Sequence, residues 1–397
     1  MPEPAMREYR GPDGAPPALW WIRGAEVMTP APLGRADVLA AHGRVLAVGR
    51  GLDPRGCGVA VTEIDGTGHL VVPGLVDSLV HFGGGGGEGG FATRMPPLAA
   101  GTALAAGVTS MVGALGTDDV TRSHADLLAC ARALADTGLS AYTLTGSYRV
   151  PPVTLTGSVR GDLAFIPEMI GLGEVAIADH RGSQPSAAEL ARLASDARVG
   201  GMLAGKAGTV LVHCGDAPEG LALLREASSR WPVPIPQWHP THVNRNATLF
   251  ADGLDFVREG GSIDFTTSST PDFVAAGEIP AARALAEALA AGVPVARLTL
   301  SSDGQASLPH FDAQGRLVSL EVAPIASLLD AVRCATLRHG VALTDALAAA
   351  TSSPAAIWGL ARKGRVVPGA DADLLLLDRD TLALRGTMAG GRWWTPT

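Results

Sequence analysis

Histidines and carboxylates close a series of short apolar runs in the middle of this chain. His81 ends LVDSLVH, His213 ends TVLVH, His242 sits in THVNR and Asp303 ends LTLSSD. Glu174 opens EVAIADHR, whose tail is Asp179, His180 and Arg181. Glu88 follows a glycine run, Tyr148 follows LTGS, and Arg245 stands three residues after His242. Imidazole and carboxylate groups converging from several segments suit zinc or a similar divalent ion, bound with one position open to water. Such an ion brings the pKa of its water near neutrality. A carboxylate within reach can take the proton and later hand it to a leaving amine. The chemistry implied is hydrolysis.

Each residue also has a plainer reading. A histidine at a strand end is often a hydrogen-bonded core residue. Asp303, followed by glycine, could start a turn or cap a helix. Glu174, Arg181 and Arg245 could be surface charges. Cys214, beside His213, is more simply a small buried thiol than a nucleophile. The run GGGGGEGG could be a flexible linker, and the absence of a following Lys-Ser/Thr pair speaks against a phosphate loop. Joint placement favours the metal: His81, His213, His242 and Asp303 all fall at strand ends, in order.

The elements that would position them alternate. Strand candidates are GLVDSLVHF, TSMVGAL, SAYTLTG, EVAIADH, TVLVHCG, PIPQWHPTHV, SIDFTT and RLTLSSD. Ala/Leu-rich helical stretches lie between them, among them HADLLACARALADTG, SAAELARLASDARVG, EGLALLREASSRW, EIPAARALAEALAAG and SLLDAVRCATLRHG. Strand–helix alternation predicts a parallel sheet, and about eight strands favour an α/β fold closed as a (β/α)8 TIM-like barrel over residues 74–353. Such barrels place their sites at the C-terminal strand ends. Both chain ends are β-rich and punctuated by Gly, Pro and Asp. Residues 1–73 and 354–397 are expected to share a small β-sandwich domain, with residues 1–17 a disordered lead-in.

Composition narrows the class. Of 397 residues, 47% are apolar and 18% charged, which is material for a large globular core. A net charge of −8 offers no basic footprint for nucleic acid or an anionic membrane. No run reads as a membrane span or a signal peptide, so the cytoplasm is the expected location. The four cysteines have no CxxC spacing, and a disulfide framework is not expected.

The motifs VVPGLVD, HFGGGGGEGGFATR, MVGALGTDD, LTGSYRVP, AIADHRGSQP, THVNRN, LTLSSDGQAS and VVPGADADLLLLD follow one another in this order. In them the chain resembles the amidohydrolase superfamily and, within it, the isoaspartyl (β-aspartyl) dipeptidase family, over nearly its whole length. The resemblance implies a two-metal site. His213 and His242 would hold one ion, His81 and Asp303 would help hold the other, and a carboxylate would bridge them. It implies Asp303 as proton shuttle and Tyr148 as donor to the developing oxyanion. Glu88 and the glycine loop with Gly86 would receive the substrate's α-ammonium. Arg181 and Arg245 would hold its carboxylates, and Thr117 and Ser307 would add polar contacts. The substrate would be a small dipeptide-like molecule. A homo-oligomer is also implied, for which the LWW and RWW segments are candidate contacts.

Two positions depart from the superfamily pattern. The first motif, His-x-His, reads Leu79-Val80-His81 here. Glu174 stands where well-known members carry a carboxylated lysine; a glutamate reaches less far, and Gly171 and Gly173 would let the backbone approach. His213, His242 and Glu174 plus water is a normal catalytic zinc set, whereas the other ion keeps His81, Glu174 and Asp303. One tightly bound zinc is therefore expected, with the second site weakened or empty; His180 and His239 are the nearest histidines that could replace the missing ligand. Three readings follow: a β-aspartyl dipeptide hydrolase, a related amidohydrolase with another small amide substrate, or a catalytically impaired homologue.

Overall fold

A computed structural model describes residues 6–11, 17–311, 314 and 317–397. All eight strand candidates of the middle segment form: β1 (Leu75–Val80), β2 (Val108–Gly113), β3 (Ser140–Thr145), β4 (Met169–Ile177), β5 (Thr209–Cys214), β6 (Trp238–Thr241), β7 (Ile263–Thr266) and β8 (Leu298–Ser301). β1 to β6 make one parallel sheet in chain order, and β7 pairs in parallel with β8. The last strand returns to the first. His81 N donates to Gly304 O at 2.8 Å, and Asp303 N donates to Leu79 O at 3.1 Å. The fold is the α/β TIM-like barrel that the alternation predicts.

Helices follow the strands because their starts are written locally. Ser123, Ser158 and Asn246 each accept a backbone N–H at a helix N-terminus. Ser186 and Glu189 form a capping box ahead of Ala187–Ala204, which ends on left-handed Gly205. The outward strand faces and the helices share one large apolar core. A smaller buried cluster collects Leu79, Val112, Leu144, Ile170 and Leu211 from five successive strands, with Trp358. These are the inward layer beneath the mouth of the barrel, and Trp358 Nε1 donates to Ser78 Oγ there at 3.1 Å.

Strands from both chain ends join in one nine-stranded sheet, in which Leu374–Asp378 pairs with His69–Pro73 and Met6–Glu8 with Arg392–Pro396. The sheet carries an apolar core of its own, including Trp20, Val38, Val71, Leu374 and Trp393. The disordered lead-in is corrected in part: Met6–Glu8 is a strand, because Trp394 and its neighbours offer a free sheet edge, while residues 1–5 and 12–16 lie outside the described residues. The LWW and RWW segments also read differently. Trp20, Trp21 and Trp393 are buried within the chain itself. Among the described residues, no helix is long and apolar enough to cross a membrane.

β4 carries an irregularity that bears on the site. Its register against β5 shifts between Leu172 and Val175, so Gly173 and Glu174 together face Leu211. Gly173 has φ 146°, and a Cβ there would lie 2.6 Å from Leu211 O. That close approach requires glycine, and it sets Glu174 deep in the barrel. Gly173→Ala is expected to lower stability by about 1–3 kcal/mol and to reduce uptake of divalent metal, measured by thermal unfolding and metal analysis of the same sample. Unchanged stability and uptake would remove this role for the bulge.

Candidate metal centre and active site

The deepest group is Glu174, fully buried within β4 rather than at its start. Its Oε1 lies 2.9 Å from His213 Nδ1 and 3.2 Å from His242 Nε2. Among the described residues, Glu174, His213 and His242 are the one group of three or more potential metal ligands whose donor atoms converge, within 4.8 Å of one another. Burial and then the neighbouring His213 push His242 down to about 4, so its imidazole is neutral.

The outer nitrogens of both histidines are engaged. His242 Nδ1 is 2.6 Å from Thr266 Oγ1, and His213 Nε2 is 2.9 Å from Asp179 Oδ2. With protons on those outer nitrogens, two ring lone pairs and a carboxylate oxygen face one point. That arrangement is repulsive without a cation and favourable around one. Glu174 Oε2 is buried with no hydrogen-bond partner, which also fits a cation in place of a donor. These residues could hold a divalent ion.

His81 and Asp303 stand beside this cluster. His81 Nε2 is 3.1 Å from Asp303 Oδ1 and 3.8 Å from Glu174 Oε2, while its Nδ1 reaches Ala114 O at 3.1 Å. Burial disfavours a charged His81, but the Asp303 hydrogen bond and charge lift its pKa to about 9. Leu79, two residues earlier, is fully enclosed in the inward apolar layer and has no donor to offer. His239 cannot replace it: its Nδ1 is taken by Ser262 Oγ at 2.9 Å and its Nε2 by Thr299 Oγ1 at 3.1 Å. His180 is exposed on the cavity wall.

Above the cluster opens a cavity of about 800 Å³, lined by His81, Gly86, Glu88, Thr117, Tyr148, Arg181, His213, His242, Arg245, Asp303 and Ser307. The structure thus brings every sequence-predicted site residue except Glu174 to the lining of one cavity, and Glu174 lies beneath it, against His213 and His242. Tyr148 OH is 2.7 Å from His213 Nδ1. Burial and then the Glu174 charge raise its pKa well above the ordinary value, so the phenol keeps its proton. Glu88 accepts from Thr117 Oγ1 at 2.9 Å and from Ser307 Oγ at 3.4 Å. Arg181 Nη1 stands 3.7 Å from Glu88, and the guanidinium lies over the Tyr148 ring at 5.5 Å. The glycine run is no loose linker. The buried Arg122 donates to Gly83 O at 2.6 Å and Gly85 O at 2.7 Å, and a Cβ on Gly84 would meet Met95 O at 2.2 Å.

Sequence reasoning left out two contributors and gave a third no role. Arg122 braces the glycine loop from outside the motif. Thr266 ends β7, a position that could have marked it. Asp179 had been noted only as part of ADHR, yet it contacts both His213 and Arg181. His242 (φ 62°) and Asp303 (φ 52°) both adopt left-handed backbone, which residues bearing a Cβ hold only where the surroundings impose it, often at functional sites.

A TIM-like barrel with this histidine–carboxylate cluster at its strand ends defines a hydrolase of the amidohydrolase type, and the amidohydrolase family model matches residues 256–393. The β-aspartyl dipeptidase of the thermophilic, keratin-degrading Fervidobacterium islandicum AW-1, in complex with a β-Asp-Leu dipeptide, is 39% identical over 97% of each chain, with a TM-score of 0.89. A second structure of that enzyme matches at 38% identity over 94% of this chain and 96% of the other, with a TM-score of 0.86. D-hydantoinase from Bacillus sp. AR9, at 17% identity over 94% and 95% of the chains and a TM-score of 0.63, shares the fold. The chain belongs to the isoaspartyl (β-aspartyl) dipeptidase family of the amidohydrolase superfamily.

Thr266→Val removes the oxygen that fixes His242 Nδ1 and leaves the shape nearly unchanged. Loss of such an outer hydrogen bond weakens metal binding by about 10–100-fold. Competition against a chromophoric chelator for a divalent ion should show this drop; an unchanged affinity would exclude Thr266 from the candidate centre.

Proposed function

We propose that this chain cleaves β-aspartyl dipeptides at the isoaspartyl amide bond, using one tightly held divalent ion, with zinc the first choice. The observation that carries the reading is the contact of Glu174 Oε1 with both His213 Nδ1 and His242 Nε2 at the floor of the cavity. The wall above supplies groups matched to such a substrate, which bears one ammonium and two carboxylates. Glu88 and the Gly86 loop would take the α-ammonium. Arg181 and Arg245 would take the carboxylates, as guanidinium forks do. Phe273, Leu308, Leu317 and Leu320 also line the cavity and suit an apolar side chain on the leaving amino acid. The Fervidobacterium relative, solved with β-Asp-Leu, supports the same substrate class.

His213, His242 and Glu174 would hold the ion, whose chemistry when bound is to polarise the scissile carbonyl and acidify a water. Asp303 then acts as the base that takes the water proton and returns it to the departing amine. Tyr148, kept protonated by its burial, donates to the oxygen as negative charge develops there. Thr117 and Ser307, already bonded to Glu88, would steady that carboxylate toward the ammonium.

The position between His81, Glu174 Oε2 and Asp303 is proposed to hold an ion weakly, because Leu79 presents only carbon. Metal analysis after gel filtration should give near one zinc per chain, and Leu79→His should raise it toward two. A native stoichiometry of two would overturn the single-ion reading.

Leu79 favours one alternative, a related amidohydrolase acting on a different small amide. A panel of β-aspartyl dipeptides, hydantoins and dihydroorotate-like cyclic amides separates the two. Turnover of β-Asp-Leu, with kcat lowered about 10²–10³-fold by Tyr148→Phe, is expected. Turnover of a cyclic amide with no hydrolysis of any β-aspartyl dipeptide would replace the reading by the alternative.

A further inference from the structure

Asp179 is nearly buried at the start of the loop after β4, and it serves both halves of the site. The preceding Ala178 takes φ 52°, and Gly215 packs against it so closely that a Cβ would sit 1.9 Å from Ala178 O. This turn aims Asp179 back toward the barrel axis. Oδ2 lies 2.9 Å from His213 Nε2 and accepts from Arg181 Nη2 at 2.8 Å. Oδ1 accepts from Arg181 Nε at 3.0 Å and from the Arg181 backbone N–H at 2.8 Å. Arg245 Nη1 approaches Oδ2 to 3.9 Å. One carboxylate therefore touches an imidazole that faces Glu174 and both guanidinium groups of the cavity wall.

We propose that Asp179 is a positioning residue that couples metal binding to substrate-carboxylate recognition, fixing the His213 tautomer through Oδ2 while orienting Arg181 through both oxygens. The inference rests on the metal-hydrolase reading above but not on the identity of the amide. A carboxylate at Nε2 draws the ring proton to that side and leaves the Nδ1 lone pair facing Glu174, where Tyr148 OH or a cation can meet it. The same charge holds the Arg181 fork in plane, over Tyr148 and beside Glu88. A plain Asx turn would need only the bond to the Arg181 N–H; the His213 and guanidinium contacts go beyond it.

The test uses the full chain. In protein labelled with ¹⁵N-histidine and loaded with zinc, the His213 resonances, assigned by their loss in His213→Gln, should show a protonated Nε2 and an unprotonated Nδ1. Asp179→Asn should move the Nε2 resonance and lower zinc affinity by about 10–100-fold. It should also raise KM for a dicarboxylate dipeptide more than it lowers kcat at saturating zinc. Asp179→Glu, which restores the charge, should recover part of the zinc affinity. Arg181→Met should raise KM without reducing zinc affinity. A wild-type His213 protonated at Nδ1, or an Asp179→Asn protein that binds zinc as tightly as wild type, would overturn the proposal. The tautomer and zinc-affinity readouts need no turnover. If β-aspartyl dipeptides proved not to be substrates while the tautomer and zinc results held, the substrate reading alone would fall.

Discussion

A carboxylate buried without compensation is among the costliest features a fold can carry. Glu174 is fully enclosed, one of its oxygens has no hydrogen-bond partner, and the imidazoles against the other are disposed to present lone pairs. Positive charge arriving at that point relieves all three groups together. Much of the surrounding architecture serves this requirement. The bulge in β4 carries the carboxylate inward, glycine permits the approach of β5, and Thr266 and Asp179 hold the histidines from behind.

The site is layered. Beneath Glu174 lies an apolar sheet of side chains from β1 to β5, with Trp358 below them. Around it stand hydroxyl and imidazole groups whose hydrogen bonds are largely met within the barrel, as with Asp264, which accepts from Thr241, Thr299 and Ser301. Above it the charges alternate: Glu88, then Arg181, then Asp179, then Arg245. This alternation keeps two guanidinium groups in a crowded cavity without mutual repulsion and gives each a defined direction. A small zwitterion can replace those contacts group for group.

Leu79 is the point where packing and ligation compete. An imidazole there would have to sit in the apolar layer with Leu144 and Leu211, whereas leucine fills it without a polar atom to satisfy. The same side chain that completes the inner core leaves His81 to engage Asp303 directly. The loss of one donor is thus tied to a gain in packing, which gives the proposed single-ion centre a structural basis within β1.

Strand–helix alternation, the strand-end histidines and the motif order were legible in the sequence. They follow from local apolar periodicity and from residue types whose chemistry does not depend on context. The barrel, its eight strands and the gathering of His213, His242, Arg181 and Arg245 at one mouth could be read that way. Other features were decided only by tertiary structure. Glu174, placed by sequence at the start of a strand, became its deepest charge because β4 bulges against β5. Met6–Glu8 became a strand because the far end of the chain offered an edge to pair with. Arg122, Thr266 and Asp179 gained their roles from contacts with residues 24 to 39 positions away. Local sequence sets which conformation and chemistry each residue can adopt; which partners it meets depends on closing the ring, and no window of neighbouring residues contains that.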